Sequence, residues 1–204
     1  MEYSKVDNPY EHVLVKNTYA KGENIANTKN IIVETGSASK IYDGKPLSNY
    51  SLSLVSEELN DGDKLVDDST KHVSIIYAAS VNNVLTPKII DSTTGEDHTS
   101  NYNITINYGT LTVDKRPVTL TSQSFSYSSS FPYFGDNTVS ISGMGFVDGD
   151  IALVESRYNT FNRIPGTYEN KPIVVMYKKP ATFSSDVVAN SYDITYNYGT
   201  IRIL

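Results

Sequence analysis

Apolar and polar side chains alternate along Tyr102-Asn103-Ile104-Thr105-Ile106, and the alternation resumes at Leu111 and Val113 after Tyr108-Gly109. A period of two marks strands buried on one face. This stretch therefore predicts a strand, a glycine-containing turn and a second strand, arranged as a hairpin or as one bulged strand. Tyr192, Ile194 and Tyr196, followed by Ile201 and Ile203, carry the same pattern. Further strands are expected at 31–35, 50–55, 72–78 and 84–90, and again at 117–121, 137–142, 151–157 and 172–178. Turn chemistry separates them at Tyr42-Asp43-Gly44, Asn60-Asp61-Gly62-Asp63, Asp148-Gly149 and Pro165-Gly166, where glycine permits positive φ. No segment carries a helical stripe. The best helical window is Ser56-Glu57-Glu58-Leu59, where Ser56 is placed to cap one short turn. The pattern predicts a mainly β protein made of small antiparallel modules, either sandwich-like or of a helix-poor β-grasp kind.

The chain also repeats itself. Asn101-Tyr102-Asn103-Ile104-Thr105-Ile106-Asn107-Tyr108-Gly109-Thr110-Leu111-Thr112-Val113 returns as Ser191-Tyr192-Asp193-Ile194-Thr195-Tyr196-Asn197-Tyr198-Gly199-Thr200-Ile201-Arg202-Ile203, 90 positions later. Asp61-Gly62-Asp63 returns as Asp148-Gly149-Asp150, and Asn83 as Asn170, both at an offset of 87; Val33 pairs with Val118 at 85. Two tandem β modules follow, over 31–114 and 115–204, joined at Asp114-Lys115-Arg116-Pro117. Residues 1–30 are read as the trailing fragment of an upstream repeat, or else as a flexible tail.

Composition supports the β reading. Sixteen tyrosines with no tryptophan, among many Thr, Ser, Asn and Val residues, suit pleated, half-buried surfaces. There is no cysteine, which excludes disulfides, thiolate metal sites and a cysteine nucleophile. No run is apolar enough to insert directly into a membrane, and Met1-Glu2-Tyr3 does not begin a signal peptide, so any signal or anchor is expected outside this chain. The net charge of −6 is unevenly spread, with five lysines against twelve acids in 31–114 and near balance elsewhere. That sign disfavours nucleic acid as a partner.

Lys40-Ile41-Tyr42-Asp43-Gly44-Lys45-Pro46-Leu47, then Asp61-Gly62-Asp63, Asn101-Tyr102-Asn103-Ile104 and Gly109-Thr110-Leu111-Thr112-Val113 before Lys115-Arg116-Pro117, resemble the MBG and YDG repeats of bacterial cell-surface proteins. In the second copy the Tyr-Asp-Gly signature is degraded to Tyr127-Ser128-Ser129. The resemblance implies an extracellular, adhesin-like protein of the bacterial surface or cell wall. It also implies neighbouring repeats in tandem as the principal partners, and no enzymatic activity. The positions that carry it are Tyr42, Asp43, Gly44, Gly62, Asp63, Tyr102, Gly109, Gly149, Asp150, Tyr192 and Gly199. A structural role is expected for them, with Asp43 bonding its own turn, Gly44 taking the left-handed dihedral and Tyr42 packing under a strand end.

Other chemistry is thinly represented. Glu57, Glu58, Asp61, Asp63, Asp67 and Asp68 are calcium-type ligands without EF-hand spacing, and a solvated acidic loop is the expected reading. His12, His72 and His98 stand singly, no nucleophile elbow or HExxH motif occurs, and neither a catalytic residue, a metal site nor a cofactor is assigned. Phe125, Tyr127, Phe131, Tyr133 and Phe134 form an aromatic-rich stretch, a candidate patch for a host glycan or surface protein. The expected function is a stalk or spacer, with carbohydrate or glycoprotein binding as the alternative.

Overall fold

The computed structural model describes residues 28–56, 58–127, 138–156, 164–178 and 186–204. The chain is mainly β. Its first eight strands are β1 (Lys29–Thr35), β2 (Ala38–Ile41), β3 (Leu52–Leu54), β4 (Asp63–Asp67), β5 (Ala79–Asn82), β6 (Pro87–Asp91), β7 (Tyr102–Asn107) and β8 (Thr110–Asp114). The next eight are β9 (Arg116–Ser122), β10 (Phe125–Tyr127), β11 (Val139–Gly143), β12 (Asp150–Ser156), β13 (Gly166–Asn170), β14 (Pro172–Lys178), β15 (Tyr192–Asn197) and β16 (Gly199–Ile203). Among the described residues, helix is confined to a single 3-10 turn, Thr99–Asn101, and one turn of α1, Asp186–Ala189. The helical turn expected at Ser56 does not form as a cap: the Ser56 hydroxyl accepts the amide of Ile32 across the sheet.

Strands of the first half make sheets ordered β3-β1-β7, β2-β8-β5 and β4-β6, and those of the second make β11-β9-β15, β10-β16-β13 and β12-β14. Each set has the same order when the strands are counted from its own start. The pairing is mixed and not wholly antiparallel as expected, because β1 with β7, β2 with β8, β9 with β15 and β10 with β16 run parallel.

The segment around Gly109 is a kinked strand and not a hairpin. β7 and β8 each pair with the opening strands of the half and not with each other. What holds the kink is a small polar knot. Thr35 Oγ1 donates to the Asn83 carbonyl at 2.7 Å and accepts the Gly109 amide at 2.9 Å, while Asn83 Nδ2 donates to the carbonyls of Gly36 and Asn49. Ser122, Asn170 and Gly199 build the same knot in the second half, with Asn170 Nδ2 on the Gln123 carbonyl. Buried amides and carbonyls need such partners wherever a ladder is interrupted.

Strand register corrects the alignment of the two copies. Ile31 faces Ile104 and Val118 faces Ile194, so Ile31 matches Val118 at an offset of 87, and Val33 matches Leu120. The offset therefore holds at 87 through Asn83 and Asn170 and becomes 90 by Tyr102 and Tyr192. Likewise Ala38 faces Leu111 and Phe125 faces Ile201, which places Tyr127 opposite Lys40 in the comparison. The counterpart of Tyr42 is then position 129, outside the described residues.

Segment 72–78 is not a strand; only Ile75 bridges to Leu47. Its run of Ile75, Ile76 and Tyr77 packs inward as irregular chain, against a core formed by Tyr42, Val113, Val118, Leu120, Val188 and Tyr192. A second core of Ile31, Val33, Ile89 and Tyr102 belongs to the first half alone. The alternation pattern does not predict the short strands 38–41, 63–67, 79–82, 125–127 and 166–170, since so few residues show little alternation.

A Cβ at Gly109 would lie 2.3 Å from the Thr35 carbonyl oxygen and 2.7 Å from Gly36 backbone atoms. Gly109→Ala should accordingly cost about 3 kcal/mol of stability, measured by chemical denaturation, whereas Gly95→Ala, whose Cβ meets nothing within 4 Å but whose φ of +75° is left-handed, should cost only the dihedral strain of about 1 kcal/mol.

Candidate functional site

The most elaborate polar site is built from the Gly-Asp turns that the two halves share. Gly62 and Gly149 have φ of +84° and +90°, left-handed values that side-chain-bearing residues rarely adopt. The turns close with the Asp63 amide on the Asn60 carbonyl and the Asp150 amide on the Val147 carbonyl, both at 3.0 Å. Each aspartate then heads its strand and receives a tyrosine. Tyr102 donates to Asp63 Oδ2 at 2.5 Å and accepts the Asn60 amide at 2.9 Å; Tyr192 donates to Asp150 Oδ2 at 2.6 Å and accepts the Val147 amide at 2.9 Å. One phenol thus closes the turn and neutralises the need of the carboxylate.

The halves differ in the third partner. In the first, His98 Nδ1 lies 2.7 Å from Asp63 Oδ1. In the second, Tyr42, a residue of the first half, donates to Asp150 Oδ2 at 2.8 Å. The Tyr42 ring is fully buried, meets Tyr192 edge-on at 5.4 Å and stacks on Tyr77 at 6.1 Å. Such ring pairs add to the area they bury. Among the described residues, no group partners the buried Asp150 Oδ1.

Backbone contacts surround this contact between halves. The Tyr42 amide donates to the Asp114 carbonyl at 2.9 Å. Arg116 Nε donates to the Gly145 carbonyl at 2.7 Å, Nη2 to that of Met144 at 2.6 Å and Nη1 to that of Tyr42 at 3.3 Å. Ser191 Oγ accepts the Ala78 amide at 3.0 Å. Gly44, at φ +75°, sits against Val147, whose Cγ1 would be 2.8 Å from an added Cβ. Asp43 does bond its own turn, accepting the Lys45 amide at 3.0 Å and the Lys40 ammonium at 2.6 Å, and these hold its carboxyl below the usual range.

Electrostatics follow the geometry. Burial, then the Asp150 carboxylate, pushes the Tyr42 and Tyr192 phenols up, so both remain donors. Asp63 is held below the ordinary carboxylate range, first by the Tyr102 hydroxyl and next by His98. The arrangement fastens surfaces together.

The structure thus gathers Tyr42, Gly44, Gly149, Asp150 and Tyr192 at one junction, and Gly62, Asp63 and Tyr102 at the equivalent place in the first half. Gly109 and Gly199 belong instead to the kinks. Sequence reasoning missed His98, Arg116, Val147 and Ser191. The first was signalled by the copies themselves, since a shift of 90 sets Val188 against His98.

The aromatic stretch is only partly visible. Phe125 is half-buried and lines an open groove of about 260 Å³ with Ser124, Ser126, Thr167, Thr200 and Arg202. Phe131, Tyr133, Phe134 and the side chain of Tyr127 lie outside the described residues. Tyr196 and Tyr198 are exposed, 6.0 Å apart, with the Lys171 ammonium 5.6 Å from the Tyr198 ring. In the acidic stretch Asp63 and Asp67 are engaged by hydrogen bonds, the latter with Ser69 and His72. Among the described residues no group of three His, Cys, Asp or Glu is disposed to hold a metal, and no helix is long and apolar enough to cross a membrane.

No family model matches the sequence, and neither a curated protein nor a solved structure does.

Two measurements check the site. Tyr42→Phe should cost about 2 kcal/mol, the worth of a hydrogen bond to a charged group, and a double-mutant cycle with Asp150→Asn should show coupling above about 0.5 kcal/mol. Because the folded-state value of Asp63 is lowered, its contribution is present above the ordinary value near ~3.9 and is lost as pH falls through the lower folded value. Asp63→Asn should flatten the acid side of the pH–stability curve.

Proposed function

We propose that this chain is a non-enzymatic spacer or stalk segment of a secreted bacterial surface protein, built of tandem MBG/YDG-like β modules that set reach and stiffness. The observation that carries this reading is Tyr42 of the first half completing Asp150 of the second. A carboxylate oxygen that receives one hydroxyl from each half is a poor pivot, because bending the junction would leave a buried phenol unpaired. Only Lys115 separates β8 from β9, so there is little chain to flex. The shared core of Tyr42, Val113, Val118, Leu120, Val188 and Tyr192 buries apolar surface across the same contact.

The glycan-binding alternative draws on a different observation, the exposed Tyr196 and Tyr198 beside Lys171 and its partner Glu169 at 3.0 Å. Aromatic faces flanked by polar groups suit sugar rings. A glycan array probed with a multivalent display of the chain tests it, and loss of signal in Tyr198→Ala would locate it.

For the spacer reading, small-angle scattering of the intact chain should fit one narrow arrangement of the two halves. The paired change Tyr42→Phe with Arg116→Ala should broaden it. A broad distribution in the unmodified chain would count decisively against a stiff spacer.

A further inference from the structure

The two halves complete equivalent aspartates by different means. Asp150 takes its second hydroxyl from a neighbour, whereas Asp63 takes an imidazole from within its own half. The strand offsets set His98 against Val188 and Asn60 against Val147. Val188 is fully buried in the core shared by the halves; the His98 side chain keeps 28% of its exposure and Asn60 is exposed. At these two positions the first half is polar where the second is apolar.

We infer that His98 is an internal cap on Asp63, engaging from within the first half the carboxylate oxygen that Tyr102 leaves free, where the second half instead places the neighbouring half's Tyr42 on the oxygen that Tyr192 already holds. The exchange has a chemical consequence. A phenol keeps its proton through physiological pH, but an imidazole changes charge there. The cap is an ion pair in mild acid and a weaker neutral–charged hydrogen bond above it.

The acids facing His98 favour the charged ring, Asp63 foremost, and outweigh the opposing effect of partial burial. Asp63 on β4 meets it directly, Asp91 at the end of β6 and Glu96 in the following loop act at longer range, and Tyr102 of β7 reaches the same carboxylate from its other oxygen. The Lys88 ammonium is engaged elsewhere, 3.4 Å from Asp97 and 3.7 Å from Asp68. Since these acids raise the His98 value, the cap's contribution is complete below the ordinary histidine value near ~6.5 and fades as pH rises through the higher folded value. His98 pins the loop through its amide on the Ile89 carbonyl, while Asp91 and Ser92 donate to Glu96 and Gly62. The loop should loosen as the cap weakens.

The inference rests on strand equivalence and not on the spacer reading, so scattering that disproves a stiff junction leaves it standing. It is tested on the full chain by nuclear magnetic resonance. The His98 ring should titrate above an ordinary histidine, and Asp63→Asn should return it to the ordinary value. Protection of the Asp91 and Ser92 amides, corrected for intrinsic exchange, should fall several-fold between pH 5.5 and 8. In His98→Val that pH response should vanish, with His72 on Asp67 left intact as the internal control. A His98 titration at or below the ordinary value overturns the cap, as does a pH response that survives in His98→Val. Should His98→Val fail to fold, the Asp63→Asn titration decides alone.

Discussion

The carboxylate of Asp150 sets the terms for the junction. It is held by Tyr192 of its own half and Tyr42 of the other, both on Oδ2, inside a core to which both halves contribute. Losing a hydrogen bond to a carboxylate withdrawn from water is more costly than forming it is rewarding. The surrounding arrangement keeps these bonds in place. The left-handed Gly149 turns the chain so that Asp150 points inward, the Val147 amide orients the Tyr192 oxygen, and Arg116 fixes the carbonyls on either side of the contact.

The same economy of parts appears at the kinks. One hydroxyl, Thr35 or Ser122, replaces ladder bonds lost where the strand bends, and one buried amide, Asn83 or Asn170, collects the carbonyls left over. These residues are polar yet almost fully buried. Their positions are dictated by backbone groups that would otherwise be orphaned. The glycines beside them are required by close approach and not by dihedral freedom, since Gly109 and Gly199 have no positive φ.

The legible parts of this protein were those that repeat a physical period. Tyr102-Ile104-Ile106 and its echo at Tyr192-Ile194 read directly as strands because alternate residues are buried. The Asp-Gly turns read because glycine is the residue that tolerates their dihedrals. Long-range pairing was not legible. Nothing local in Lys29–Thr35 says that it lies parallel to Tyr102–Asn107, so a hairpin remained open at Gly109. Segment 72–78 looked like a strand because Ile75, Ile76 and Tyr77 are apolar, but they are buried from a loop. Tyr42 is fully buried just past the end of β2. That it reaches Asp150, 108 residues on, depends on how two folded halves meet, which no local pattern encodes.

The parallel pairing of opening and closing strands has a mechanical meaning. In the first half β1 and β2 run beside β7 and β8 over six and then four paired positions, and the second half is built alike. Chain enters such a half at one end of this ladder and leaves it at the other. Tension along the chain therefore slides the two strands past each other and loads many hydrogen bonds at once, where an antiparallel terminal pair would open one bond after another like a zip. A half of this topology resists being pulled in shear, and the force passes to the next half through the backbone next to the buried tyrosine–aspartate contact.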